Sequence, residues 1–66
     1  MRNPFTLMTE EDFRLMNTGE DYATETVSYA SNIKDARKDF RSWCKVGSFR
    51  IIYPDGVKNE EILLYA

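Results

Sequence analysis

The chain has no histidine, one cysteine, three glycines and two prolines in 66 residues, and no uninterrupted apolar run of membrane-spanning length. Without histidine the commonest general base and metal ligand is missing, which removes the usual nucleophilic triads and most zinc sites. The lone Cys44 can form neither an intrachain disulfide nor a thiolate zinc site. Small secreted domains commonly depend on such staples, so a reducing, cytoplasmic compartment is expected. The opening segment MRNPFTLMTEEDFRLM carries an early proline and then three consecutive acids, which fits neither a signal peptide nor a transmembrane span. Asn-X-Ser/Thr sequons are absent, and Gly19, Gly47 and Gly56 are isolated and match no phosphate-binding loop. The carboxylate pairs Glu10/Glu11, Glu20/Asp21 and Glu60/Glu61 are sequence neighbours, which do not face one another on a helix or a strand. A pair across strands, Glu25 with Glu60 or Glu61, needs a register that composition does not supply. The expectation is therefore a protein without catalytic activity, metal or cofactor.

What is present is enough apolar material for one small domain, 1–66: 42% of residues are hydrophobic and 14% aromatic. Thr9 followed by Glu10, Glu11 and Asp12 reads as a helix start, with a capping hydroxyl and acids at the positive end of the dipole. Phe13 and Met16 give that short helix one apolar edge, and the Asn17, Thr18, Gly19 sequence supplies its stop. Before it, Pro4, Phe5, Leu7 and Met8 form an extended apolar arm, so that 1–19 is an arm plus a short helix. Residues 22–29, rich in β-branched and aromatic side chains, read as a strand whose wetter face carries Thr24, Thr26 and Ser28. Ser31 or Asn32 then caps the main helix, in which Ile33, Ala36, Phe40, Trp43 and Cys44 recur at spacings of three and four, with Gly47 as its end. By this wheel the Cys44 thiol lies on the apolar stripe beside Phe40, where it is expected to be buried and inert. Two apolar runs around Pro54, Asp55 and Gly56 predict a hairpin.

The fold expected is α+β: a short N-terminal helix, then a β-α-β-β unit over 20–66 with a three-stranded sheet and one main helix on one face. The strand before that helix is expected to pair in parallel with the strand after it, through a right-handed crossover. Both strands of the hairpin are apolar on both parities near their middles, so the second sheet face needs the N-terminal arm or a second subunit to cover it. Ile52, Ile62, Leu64 and Tyr65 are the interface candidates, and the last strand offers unpaired backbone groups if it lies at an edge.

Charge is the least even feature. The chain is acidic overall, with a net charge of -2, yet residues 32–46 hold five Lys or Arg against two Asp. At about 100° per residue, Lys34, Lys38, Arg41 and Lys45 fall on one flank of the main helix, with Arg37 at the border of the apolar stripe. Like charges at that spacing repel by roughly 0.2–0.5 kcal/mol per neighbouring pair. A solvated flank with salt-bridge partners in the acidic N-terminal third explains the segment without any function. The functional reading makes Lys34, Arg37, Lys38, Arg41 and Lys45 a docking ridge for an acidic partner or an anionic ligand.

The first 25 residues hold six acids against two bases, which argues against duplex DNA. A nucleotide or other small anion held by the ridge, with tyrosines as stacking surfaces, is the alternative. The leading expectation is a small accessory or inhibitory protein, acting as a homodimer, that regulates a larger cellular protein by surface docking. Chains this small and catalytically bare also suit phage or mobile-element genes that disable host systems, an association rather than a reading of residues. A structural subunit whose activity is self-association is the third expectation.

Overall fold

The arm before the first helix alternates, with Phe5 and Leu7 on one parity and Thr6 and Met8 on the other, and it is a strand. In the computed structural model, which describes residues 3–43 and 45–65, the elements in chain order are β1 (Phe5–Thr9), α1 (Glu10–Asn17), β2 (Thr26–Ser28), α2 (Ile33–Arg41), β3 (Gly47–Ile52) and β4 (Asn59–Leu64). The strands form one four-stranded sheet in the order β2-β1-β3-β4, antiparallel at every junction. The α+β class stands, and the expected three-stranded sheet with a parallel neighbour pair is corrected. Both β2 and β3 are antiparallel to β1, so they do run parallel to each other, but β1 occupies the slot between them. Leu7 and Met8 explain the placement, since both are fully buried although they point to opposite faces. Only a central strand covered on both sides offers that.

Each helix begins and ends where a local polar group satisfies the backbone. Thr9 Oγ1 accepts the Asp12 N–H at 3.1 Å and caps α1, while Asn32 Oδ1 accepts the Asp35 N–H at 2.9 Å and caps α2. At the far end of α1, Gly19 at φ +79° lets Glu20 N–H reach Leu15 O and Gly19 N–H reach Met16 O, a Schellman closure. The main helix is shorter than the residue periodicity predicts. Ser42 hydroxyl donates to Asp39 O at 2.6 Å and the helix stops at Arg41, so Trp43 and Lys45 lie beyond it, and Gly47 opens β3 instead of ending α2. The expectation for Cys44 falls outside the described residues.

The 53–58 turn forms as predicted. Asp55 Oδ1 accepts the N–H groups of Val57 and Lys58, each at 2.8 Å, and Gly56 takes φ +77°. Those two N–H groups hold the Asp55 carboxyl below its usual range.

Parity assigns the two faces. Phe5, Leu7, Phe49, Ile51, Ile62 and Leu64 face α2 and pack with Ala36 and Phe40. The 22–29 strand shrinks to three residues, and its sides are the reverse of those expected. Ser28 is buried on the α2 side because its hydroxyl donates to Asp39 Oδ2 at 2.6 Å, whereas Val27 is exposed on the other side. On that opposite face α1 packs over β1 and β3. Among the described residues no helix is long and apolar enough to cross a membrane.

Candidate functional site

The basic segment divides into charges the fold uses and charges it leaves to solvent. Arg37 leaves the sheet-facing side of α2 and closes a two-point ion pair on β4. Its Nε donates to Glu60 Oε2 at 2.6 Å and its Nη2 to Oε1 at 2.9 Å, while the Tyr53 hydroxyl donates to the same Oε1 at 2.7 Å. Phe5 holds the Tyr53 ring edge-on at 5.3 Å. Hydrogen bonding from Arg37 is the main reason the Glu60 carboxyl lies below its usual range, opposed by partial burial and aided by Tyr53. The same carboxylate raises Tyr53, first through the hydrogen bond it accepts, and raises Arg37 as well. Lys45, past the helix end, sits 3.8 Å from Glu25 and 5.6 Å from the centre of the Trp43 ring.

Lys34, Lys38 and Arg41 are different. All three are exposed, and no hydrogen bond or ion pair to another described residue holds them. They lie at helical spacings of four and three, which sets neighbouring Cβ atoms about 5–6 Å apart. The two aspartates of α2 do not offset them. Asp39 accepts the Ser28 hydroxyl, and Asp35 accepts the Asn32 side-chain amide at 3.2 Å, both on the other flank. Because Ser28 of β2 meets one flank of α2 and Glu60 of β4 meets the other, the three free cations lie on the β4 side of the helix.

The interface candidates separate in the same way. Ile62 and Leu64 are in the core beneath α2, so the monomer does not present them; the β3–β4 register, with Phe49 opposite Ile62, turns them inward. Ile52 is nearly buried on the opposite face. There it walls a groove of about 330 Å³ with Pro4, Thr6, Met8, Met16 and Tyr22. Tyr65 is 69% exposed, and its neighbour of the same parity, Leu63, is 51% exposed. The cross-strand carboxylate pair does not exist, since Glu25 precedes β2 at one edge and Glu60 and Glu61 stand on β4 at the other.

A second arginine, Arg50, was not legible as a site residue from composition. It lies on the α1 face, where Nε donates to Glu10 Oε1 at 3.0 Å, Nη2 to Glu61 Oε1 at 3.0 Å and Nη1 to Asn59 Oδ1 at 2.8 Å. Its guanidinium carbon stands 4.5 Å from the centre of the Phe13 ring. The signal for it was in the hairpin: a turn that pairs Tyr53 with Lys58 sets Arg50 opposite Glu61. Comparison of the chain with protein-family models, with curated proteins and with solved structures finds no match in any of the three.

Proposed function

We propose that this is a small non-enzymatic binding protein that regulates or inhibits a larger protein by docking the free cationic flank of α2 on an acidic patch of that protein's surface. The observation that carries the reading is the partition of the basic segment. Arg37 and Lys45 are neutralised within the chain, whereas Lys34, Lys38 and Arg41 share one exposed flank with no carboxylate against them. Complementary charge of this kind steers encounter and fixes orientation more than it supplies affinity. The contact is therefore expected to form quickly and to weaken as salt is raised.

The test compares wild type with the Lys38→Glu/Arg41→Glu variant, first in affinity capture from host lysate and then in titration against the purified captured protein. Binding should be lost in the variant while its circular dichroism stays that of wild type. Equal affinity of the two forms would take the ridge out of the reading. A nucleotide-sized adduct in the native mass spectrum of wild type, absent from the variant, would transfer the ridge to a small anionic ligand.

A further inference from the structure

The sheet has two edges, and they are not alike. The β2 edge is three residues long and ends at Ser28, whereas the β4 edge is six residues long, with no proline and no lysine within it. Edge strands are ordinarily protected by such residues or by charge. The charges on β4 are Glu60 and Glu61, and each is paired inside the chain, Glu60 with Arg37 and Glu61 with Arg50, which it shares with Glu10. The Tyr53 N–H donates to Lys58 O at 2.8 Å, which fixes the alternation of backbone groups along the hairpin. Lys58, Glu60, Ile62 and Leu64 turn their N–H and C=O groups toward β3, so those of Asn59, Glu61, Leu63 and Tyr65 point out of the sheet.

We propose that β4 pairs antiparallel with β4 of a second copy across a two-fold axis, joining the two sheets into one. The occupant is a second copy because the edge is complementary to itself. A two-fold axis through the Ile62 pair brings Glu61 opposite Leu63 and Asn59 opposite Tyr65, and it uses every outward backbone group from Asn59 to Tyr65. The alternative centred on Glu61 sets two like carboxylates face to face, which is destabilising. In the preferred register Leu63 and Tyr65 of both copies form one apolar strip on the α1 face, which covers side chains now exposed. The axis stands perpendicular to the sheet, so the two α2 helices share one side, with their Lys34, Lys38 and Arg41 flanks turned toward each other. The dimer therefore presents a cationic cleft and tightens as salt screens it, the opposite salt dependence from docking on an acidic partner. The inference stands independently of that docking reading, and this difference separates the two.

Sedimentation equilibrium of wild type from micromolar to millimolar concentration, at low and at physiological salt, measures the association, with amide hydrogen exchange read at both ends of the range. The expected result is a dimer with roughly micromolar affinity, tighter at higher salt, in which the amides of Glu61, Leu63 and Tyr65 gain protection on association. Two variants probe the edge. Leu63→Glu sets a carboxylate opposite Glu61 of the second copy, and Leu63→Pro removes an outward N–H without touching the ladder to β3. Either should weaken the dimer by about tenfold or more, and Leu63→Glu, at an exposed position, keeps the test valid if the proline variant fails to fold. A monomer throughout the range, a dimer indifferent to Leu63→Glu, unchanged exchange at those three amides, or a dimer loosened by salt would each overturn the proposal.

Discussion

On one face of the sheet α2 lays Ala36 and Phe40 into a layer built from β1, β3 and β4, and both helix residues are fully buried. On the other face α1 packs over β1 and β3 without burying any of its own residues completely, and beside it lies the groove walled by Met8, Met16 and Ile52. The first face is held by apolar contact and finished at its β4 side by the ion pair from Arg37. The second has less apolar cover, and Arg50 supplies the connection from α1 to both hairpin strands, through Glu10, Glu61 and the Phe13 ring. A chain of this size has apolar material for one complete interior. Where that runs out, a long cation with a planar head does the joining.

Deleting one aromatic from each face should cost the two faces very different amounts of stability. Phe40→Ala leaves a cavity where no neighbour is free to fill it, at a cost of about 3–5 kcal/mol. A small domain has about 5 kcal/mol in total, so this variant is expected to lose its cooperative urea transition. Phe13→Ala, on the half-buried side of α1, should cost about 1 kcal/mol and keep the transition. Comparable losses in the two urea curves would show that the second face is as well packed as the first.

Next in size is Arg50. Replacing it with methionine retains most of the stem but removes the charged hydrogen bonds to Glu10, Asn59 and Glu61, at about 1–3 kcal/mol. The loss should appear mainly as faster amide exchange in α1, because Arg50 is what ties the start of that helix to the hairpin. Uniform loss of protection across α1 and α2 would mean that the two faces are not separately held.

Much of this arrangement was legible in the sequence, and the failures have specific causes. The caps at Thr9 and Asn32, the Gly19 stop and the 53–58 turn are local chemistry, and local chemistry is readable because the partners lie within a few residues. The pairing of β3 with β4 followed from the turn, whereas the edge position of β4 depended on how the other strands assembled. The strand at Phe5–Thr9 is not legible because five residues with apolar side chains on both parities look the same as an apolar arm until a sheet is there to receive them. Val27 and Ser28 were assigned to the wrong sides because a buried hydroxyl is allowed only by its partner, Asp39, eleven residues away. Lys45 was put on the helix because the wheel cannot see Ser42 closing it. Of the ridge, the flank itself was legible. Which cations were free was not, since the pairing of Arg37 with Glu60 and of Lys45 with Glu25 spans the fold.

The polar cluster on the first face gives a pH test with opposite signs at the two ends. Glu60 and Asp55 are both depressed in the folded chain, so their stabilisation is present above the unfolded values of about 4.3 and 3.9 and is lost as pH falls through the folded ones. Tyr53 is raised, so its share is complete below its unfolded value of about 10 and is lost as pH rises through the folded one. Urea midpoints across pH should therefore fall at both extremes. Glu60→Gln should flatten part of the acid limb and leave the Asp55 part. It should also flatten much of the alkaline limb, because the bond to Glu60 is the main cause that raises Tyr53. Tyr53→Phe should flatten the alkaline limb and only reduce the Glu60 part of the acid limb. An acid limb identical in wild type and Glu60→Gln would mean that the Arg37 pair is solvated and contributes nothing.

The smallest expected effect on stability is at Lys38 and Arg41. Both are exposed and unpaired among the described residues, so reversing their charge removes no internal contact, and a surface change of this kind falls within about 0.5 kcal/mol. The sign is informative. Lys34, Lys38 and Arg41 repel one another at helical spacing, while cations in the last turn of α2 favour the helix dipole, so Lys38→Glu relieves the first term and both changes lose the second. The two nearly cancel, and the urea midpoint of Lys38→Glu/Arg41→Glu should match wild type. Glu60→Gln, which breaks the internal pair of the neighbouring Arg37, should lower it. A midpoint for the double reversal as low as that of Glu60→Gln would mean that the free flank also holds the fold together, and any loss of binding in that variant would then report stability instead of docking.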